Sequence, residues 1–289
     1  MSVKSILMPI TSGALINNRF EWAIHISKYF ETSITGLYIE PPYQDVTQPS
    51  LMPDGLEKKT DSYARNFEQH HAIIKHEISN IKDTLNKVGL LLKKDIPLLT
   101  TTEKISTALK KYSQYYDLII LEKNQVPDSI LSLLTDPAID IAVNSSCPVL
   151  VVPNRAPNYQ FPQSPAFVWD ESHEASRSLT HSLPLICAND CTKGTILNIG
   201  QQQNKTLDSE LDRISISKYL TLHKLNAEYI SIKANEKNMA DSLLDTLDLK
   251  NHDLLVMGAY GHSKLRELFI GSTIREVFKH VDIPVFLSH

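Results

Sequence analysis

Residues 251–289 read NHDLLVMGAYGHSKLRELFIGSTIREVFKHVDIPVFLSH, and they decide how the rest of the chain is interpreted. The short apolar run DLLVM at 253–257 is typical of a buried strand, although periodicity alone does not exclude a helix. Gly258 and Gly261 follow this run directly, and Gly271 comes after an intervening loop. Glycine occurs where φ must be positive or where a ligand must approach the backbone closely. The spacing of the three glycines therefore suggests a loop built around a ligand.

The residues after the third glycine predict a helix and a last strand. From Ile274 to Val281, apolar residues recur at i, i+3, i+4 and i+7, which indicates an amphipathic helix. Pro284 disfavours the helical conformation at the residue before it. Residues 285–287 then suit a strand, so the unit is strand, glycine loop, helix and strand.

The N-terminus of this predicted helix has two interpretations. Unpaired N–H groups and a partial positive charge make a helix N-terminus a ready phosphate site, and Ser272 and Thr273 would add two hydroxyl donors. Alternatively, Ser272 or Thr273 is simply the N-cap of the helix, and Thr273 has capping-box spacing with Glu276. The paired glycines one loop upstream favour the phosphate interpretation.

The pattern Gly258-x2-Gly261-x9-Gly271-Ser272-Thr273 resembles G-x2-G-x9-G-(S/T), the nucleotide-binding signature of the universal stress protein family. In ATP-binding members of that family, the signature wraps the ribose and the phosphates. The chain contains neither G-x-x-x-x-G-K-[ST] nor G-x-G-x-x-G, the two commoner phosphate loops. The resemblance implies ATP as the cofactor, with or without Mg²⁺, and no structural metal.

An internal repeat of about 140 residues runs through the chain. YYDLIILEK at 115–123 matches NHDLLVMGA at 251–259, and both halves end on a Pro-Val strand. The repeat predicts a first domain at 1–153, a Pro-rich linker at 154–165 and a second domain at 166–289. The predicted strands are 5–10, 33–39, 95–100, 117–121 and 148–152, then 166–169, 194–199, 228–233, 253–257 and 285–287. The predicted helices are 11–29, 56–88, 103–112 and 129–143 with a break at Pro137, then 174–185, 208–225, 239–249 and 274–281.

Alternating β and α elements predict an α/β fold of two repeated doubly wound domains. Each is expected to be a five-stranded parallel sheet with helices on both faces. The family resemblance implies the strand order 3-2-1-4-5. Ligands then bind outside the carboxyl ends of strands one and four, where the strand order reverses. Asp170, after strand one of the second domain, is therefore expected opposite the glycine loop.

The resemblance also implies roles for individual residues. Asp170 and the nearby Ser172 match the part of the pattern that contacts the nucleoside end of ATP, and Ile199 is an apolar neighbour for the adenine. Met257 ends the strand before the loop, and Tyr260 flanks the ribose. The predicted cofactor-binding set is Asp170, Ser172, Ile199, Met257, Gly258, Tyr260, Gly261, Gly271, Ser272 and Thr273, with no catalytic residue and no metal ligand.

The first half departs from this pattern. It has no glycine from Glu122 to Asp140, and Thr11 or Ser12 stands where an aspartate is expected. Side chains would fill the space that phosphates need. We therefore expect that the first half does not bind ATP in the family manner.

The composition argues against a nucleic-acid-binding protein and against a membrane protein. The 289 residues are 42% hydrophobic and 21% charged with a net charge of −4, so no basic footprint for nucleic acid is expected. No apolar run approaches the ~20 residues that span a bilayer, and the N-terminal apolar stretch is too short for a signal peptide, which predicts a cytoplasmic protein without membrane contact. Cys147, Cys187 and Cys191 give no disulfide framework. Cys187-x3-Cys191 is interpreted as small apolar residues in preference to half a metal site.

The sequence therefore predicts a cytoplasmic tandem universal stress protein that binds ATP in its second domain and acts in regulation or stress tolerance. The resemblance implies that the two domains pair through their final strands, and a homodimer of whole chains is compatible with it. One alternative is a slow ATP hydrolase, at most a weak ATPase because the sequence nominates no general base. The other is an interaction module with a vestigial nucleotide site.

Overall fold

The computed structural model describes residues 2–11, 18–42, 56–123, 137–153, 161–199, 207–232, 239–259 and 276–289. The first half contains β1 (Ser5–Thr11), α1 (Asn18–Phe30), β2 (Ser33–Ile39), α2 (Leu56–Leu92), β3 (Leu98–Thr101), α3 (Ile105–Tyr112), β4 (Leu118–Glu122), α4 (Pro137–Asn144) and β5 (Val149–Val152). The second half contains β6 (Pro165–Trp169), α5 (His173–Ile186), β7 (Lys193–Asn198), α6 (Leu207–Leu222), β8 (Asn226–Ser231), α7 (Met239–Leu249), β9 (Leu254–Gly258) and β10 (Val285–Ser288). Residues 276–280, before β10, are helical.

All ten strands form one sheet in the order β3-β2-β1-β4-β5-β10-β9-β6-β7-β8. Within each half the order is 3-2-1-4-5 and the pairing is parallel, which confirms the predicted fold class. The halves join where β5 pairs antiparallel with β10, with Leu150 opposite Phe286. The two predicted sheets are thus halves of one continuous sheet.

Two hydrophobic layers cover this sheet, one on each face. Alternate residues of a strand point to opposite faces. Val256 of β9 accordingly packs in the layer that contains Leu179 of α5, whereas Leu255 packs in the layer that contains Leu243 of α7. Strands buried on both faces require the near-continuous apolar runs that the sequence shows.

The central strand pairs separate before their carboxyl ends. The β1–β4 ladder ends at Leu7 opposite Ile119, although β4 continues to Glu122. The β6–β9 ladder ends at Phe167 opposite Val256, although β9 continues to Gly258. Strand order reverses at both places, which is where open α/β sheets bind ligands.

Prolines occupy different places in two helices. Pro137, where a helix break was predicted, is the first residue of α4, and the fixed φ of proline suits that position. Residues 129–136 of that predicted helix lie outside the described residues. Pro184 lies inside α5 without ending it, and the helix continues to Ile186.

The end of the predicted linker is part of the packed structure. Residues 154–160 lie outside the described ranges, but Phe161 is buried, with its ring centroid 4.6 Å from that of His25 and 5.0 Å from that of Tyr29. Pro165 is already the first residue of β6. The domain boundaries stay a prediction.

Within the described ranges, no helix combines the length and the apolar character that crossing a membrane requires.

Candidate functional site

The turn from β6 into α5 is built by three consecutive residues. Glu171 adopts a left-handed conformation with φ 64°, which reverses the chain after the strand. The Ser172 N–H donates to Asp170 Oδ1 at 3.1 Å, and Ser172 Oγ accepts from the Ala175 N–H at 3.1 Å. Ser172 is therefore the N-cap of α5, a role that sequence analysis had not given it.

Gly258 ends β9 directly against the first turn of α5. A Cβ placed on Gly258 would lie 2.8 Å from Glu174 Cβ and 2.9 Å from the Ala175 nitrogen. Two of the three nearest atoms belong to the helix backbone and cannot rotate away. The packing of β9 on α5 thus requires glycine here, independently of any ligand.

Met257 and Ile199 lie in the hydrophobic layer on the other face of the sheet. Both side chains are buried, and the Ile199 N–H donates to the Trp169 carbonyl at 3.0 Å. This bond ties the end of β7 to the end of β6, next to Asp170. Both side chains belong to the buried core on that face and present almost no exposed surface.

Two bonds hold the chain at Ala259, where it leaves β9. The Ala259 N–H donates to the Ser288 carbonyl at 2.9 Å, and His289 Nδ1 donates to the Ala259 carbonyl at 2.7 Å. The Ser288 hydroxyl also bonds His181 Nδ1 at 3.0 Å. Burial, with a smaller contribution from the Arg177 charge, lowers the pKa of His181. No motif in the sequence identified these C-terminal residues as supports of the site.

The candidate site has an acidic end at Asp170 and a glycine-loop end, which suit different parts of a ligand. Asp170 is half-buried and places one carboxyl group at the carboxyl end of β6, where it accepts the Ser172 N–H. Ionised carboxylates accept hydrogen bonds and repel phosphate. They suit the hydroxyl groups of a ribose or the amino group of a base. A phosphate would therefore have to lie on the glycine-loop side.

That side falls outside the described residues, which end at Ala259 and resume at Glu276. Of the predicted set, the structure brings Asp170, Ser172 and Gly258 together around the first turn of α5, whereas Met257 and Ile199 lie in the core on the opposite face of the sheet. The others lie between the described segments: Tyr260, Gly261, Gly271, Ser272 and Thr273.

The three cysteines and the acidic residues form no evident metal centre. Cys191 is buried with Sγ 3.2 Å from the Lys193 carbonyl, whereas Cys187 is half-exposed. Across the part of the chain that the structure describes, no group of three His, Cys, Asp or Glu side chains is placed to hold a metal ion.

The first half has a different pair of residues at the equivalent place. Glu122 lies three residues after Ile119 on β4, as Gly258 lies three residues after Leu255 on β9. Arg19 is the second residue of α1, as Glu174 is the second residue of α5. Sequence analysis had not singled out Arg19, which is fully buried. The first half therefore has Glu122 where the second half has Gly258, and a basic residue, Arg19, where the second half has the acidic Glu174.

Comparison with known proteins gives consistent similarities. The family model "Universal stress protein family" matches residues 195–289. Universal stress protein Slr1230 from Synechocystis sp. is 25% identical over 229 residues, which cover 75% of this chain and 72% of that protein.

Two solved structures resemble the whole chain. A universal stress protein from Archaeoglobus fulgidus aligns with a TM-score of 0.67 at 14% identity, covering 99% of this chain and 96% of the other. A protein of unknown function from Pseudomonas aeruginosa aligns with a TM-score of 0.55 at 15% identity, covering 99% and 92%. At these identities, the two structures establish a shared fold.

Proposed function

Because residues 195–289 match the universal stress protein family model and the curated relative is a universal stress protein, we propose that the second half binds an adenine nucleotide, ATP foremost, at the carboxyl ends of β6 and β9. The observation that carries the proposal is the position of the glycine pattern. It begins at Gly258, the last residue of β9, beside the turn that holds Asp170. The first glycine of the motif therefore lies where the strand order reverses, which supports a nucleotide site at this point.

The described residues support a specific orientation of the nucleotide. Asp170 would accept hydrogen bonds from the ribose hydroxyls or the base, with Ile199 and Met257 as apolar neighbours of the adenine. The phosphates would extend toward the loop of Gly261, Gly271, Ser272 and Thr273, whose glycines leave room for them. Tyr260 would flank the ribose.

The proposed role is regulatory. A bound nucleotide changes a protein only through different affinities for two conformations. The Gly258 contact with the first turn of α5 links the glycine loop to the helix that also touches β10. Through β10 and β5, the same sheet reaches the first half. Nucleotide occupancy would be communicated along this route to a partner in a stress-tolerance pathway.

The proposed organisation is a first domain at 1–153, a linker at 154–165 and a second domain at 166–289, paired through the final strands. The antiparallel β5–β10 ladder supports this pairing. A homodimer of whole chains, a cytoplasmic location and the absence of nucleic-acid binding belong to the same proposal.

The test is a calorimetric titration of ATP into the purified chain, with absorbance at 260 nm recorded first for co-purified nucleotide. We expect one saturable site per chain, abolished by Gly271→Val and weakened by Asp170→Asn. Asp248→Asn is the matched control, because Asp248 is exposed on α7 in the same half and the substitution removes the same charge. Folded protein without binding at millimolar ATP would refute the proposal, and ADP formation in the same samples would favour a slow hydrolase.

A further inference from the structure

Arg19 is a fully buried charge whose hydrogen bonds are incomplete. Its Nη1 donates to the Pro9 carbonyl at 2.9 Å, and its side chain is 0% exposed. Among the residues that the structure describes, its Nε and Nη2 have no hydrogen-bond partner. A buried donor left unsatisfied destabilises a protein by about 1–3 kcal/mol, and more when the group is charged. A ligand that accepted hydrogen bonds from these two nitrogens would offset this cost.

The two unpaired donors form one edge of the guanidinium. Nε–H and one N–H of Nη2 point the same way, and this edge matches the two oxygens of a carboxylate or a phosphate. The third nitrogen, Nη1, is fixed on Pro9, so the orientation of the plane is set before any ligand arrives. The unpaired edge thus has the geometry of a fork for an oxyanion, and because both nitrogens are buried, a ligand must displace the atoms packed against them.

The position in the sheet points to a ligand as well. Pro9 lies beyond the last bridged pair of β1 and β4, where the two strands have separated. Arg19 also belongs to the first turn of α1, a 13-residue helix whose N-terminus adds a partial positive charge. The unpaired fork and the helix N-terminus therefore meet at the first-half reversal of strand order.

Glu122 limits what can bind. It ends β4 and interacts electrostatically with Arg19. Burial lowers the pKa of Arg19 to about 10, so the guanidinium is still charged at neutral pH. Burial also raises the pKa of Glu122, while Arg19 opposes that shift. A negative neighbour favours a small anion of low charge over a triphosphate, in keeping with the lack of glycines in the loop after β4.

We propose that Arg19 anchors a small oxyanion, the carboxylate or phosphate group of a ligand, at the carboxyl ends of β1 and β4. The first half then holds a ligand site of its own, distinct in chemistry from the nucleotide site of the second half. It accepts the anionic group through a side-chain fork instead of a backbone cradle.

The test titrates sodium phosphate and sodium acetate separately into the full chain at constant ionic strength, with sodium chloride as the reference. Melting temperature and calorimetry are the readouts. All measurements use a Gly271→Val background, so that phosphate bound in the second half does not contribute and a failure of the nucleotide proposal stays distinguishable. The two salts decide whether the recognised group is a carboxylate or a phosphate.

We expect saturable binding of one of the two anions, at least about tenfold weaker in Arg19→Met because two charge-assisted bonds are lost. Arg19→Lys keeps the charge without the fork, so it should weaken binding similarly and serves as the second variant if the methionine chain does not fold. Glu122→Gln should tighten binding. Arg177→Met is the matched control, since Arg177 is an exposed arginine on α5. No saturable effect of either anion, or equal effects in Arg19→Met and Arg177→Met, would overturn the proposal.

Discussion

Replacement of Gly258 by alanine tests the packing of β9 on α5. The added methyl group would lie 2.8 Å from Glu174 Cβ and 2.9 Å from both Ala175 N and Glu174 C. Favourable contacts of this kind are near 3.5 Å, so the helix and the strand must separate by roughly 0.6 Å. Overpacking of this size destabilises by about 1–3 kcal/mol. The lower chain entropy of alanine in the unfolded state offsets about 0.4–1 kcal/mol of that.

The expected net loss for Gly258→Ala is therefore about 1–2 kcal/mol, or a melting temperature lower by roughly 2–3 °C. Thermal denaturation followed by circular dichroism measures it, and urea denaturation gives the free energy of unfolding. Gly36→Ala is the matched control, because its nearest neighbours are flexible side-chain ends at 3.1 to 3.2 Å that can move. Equal stability of Gly258→Ala and the wild type, or a larger loss for Gly36→Ala, would refute the packing argument. The result also matters for nucleotide-binding tests. If a Gly258 variant is less stable, a loss of binding could come from unfolding instead of from a lost contact with the nucleotide.

Two further outcomes follow from the described contacts. Burial raises the pKa of Cys147 to about 12, so its thiolate fraction at pH 8 is about one in ten thousand. Iodoacetamide should therefore alkylate the half-exposed Cys187 of the native protein well before Cys147. Mass spectrometry that found Cys147 labelled first would contradict this prediction. Ser172→Ala removes the acceptor for the Ala175 N–H and should lower the free energy of unfolding by about 1 kcal/mol, whereas an unchanged urea midpoint would show that the cap contributes nothing.

The sequence predicted the fold well because its apolar runs are short, regular and repeated. Residues 33–39 and 239–249 were predicted with the bounds that β2 and α7 have. Helix ends were harder to predict than strands. Helix α2 continues to Leu92, beyond the predicted end at Val88, through Gly89, a residue type that usually weakens a helix.

The candidate site was predictable in position but only partly in detail. The spacing of Asp170 and Gly258 relative to their strands was enough to bring them to one crevice. The packing of Gly258 on Glu174 was not predictable, because it depends on how closely a helix approaches a strand. Arg19 was missed for a related reason: a lone arginine in a helix is normally solvated, and only the tertiary structure shows that it is buried.

The number of nucleotides that each chain binds, and their location, test the proposed nucleotide site most directly. The most direct measurement is the stoichiometry of ATP binding by isothermal titration calorimetry, for the wild type and for Gly271→Val. We expect one ATP per wild-type chain and none for the variant. The far-ultraviolet circular dichroism spectra of the two chains should be the same. Two ATP molecules per chain, one of which persists in Gly271→Val, would contradict this expectation, as would a folded wild type that binds no ATP.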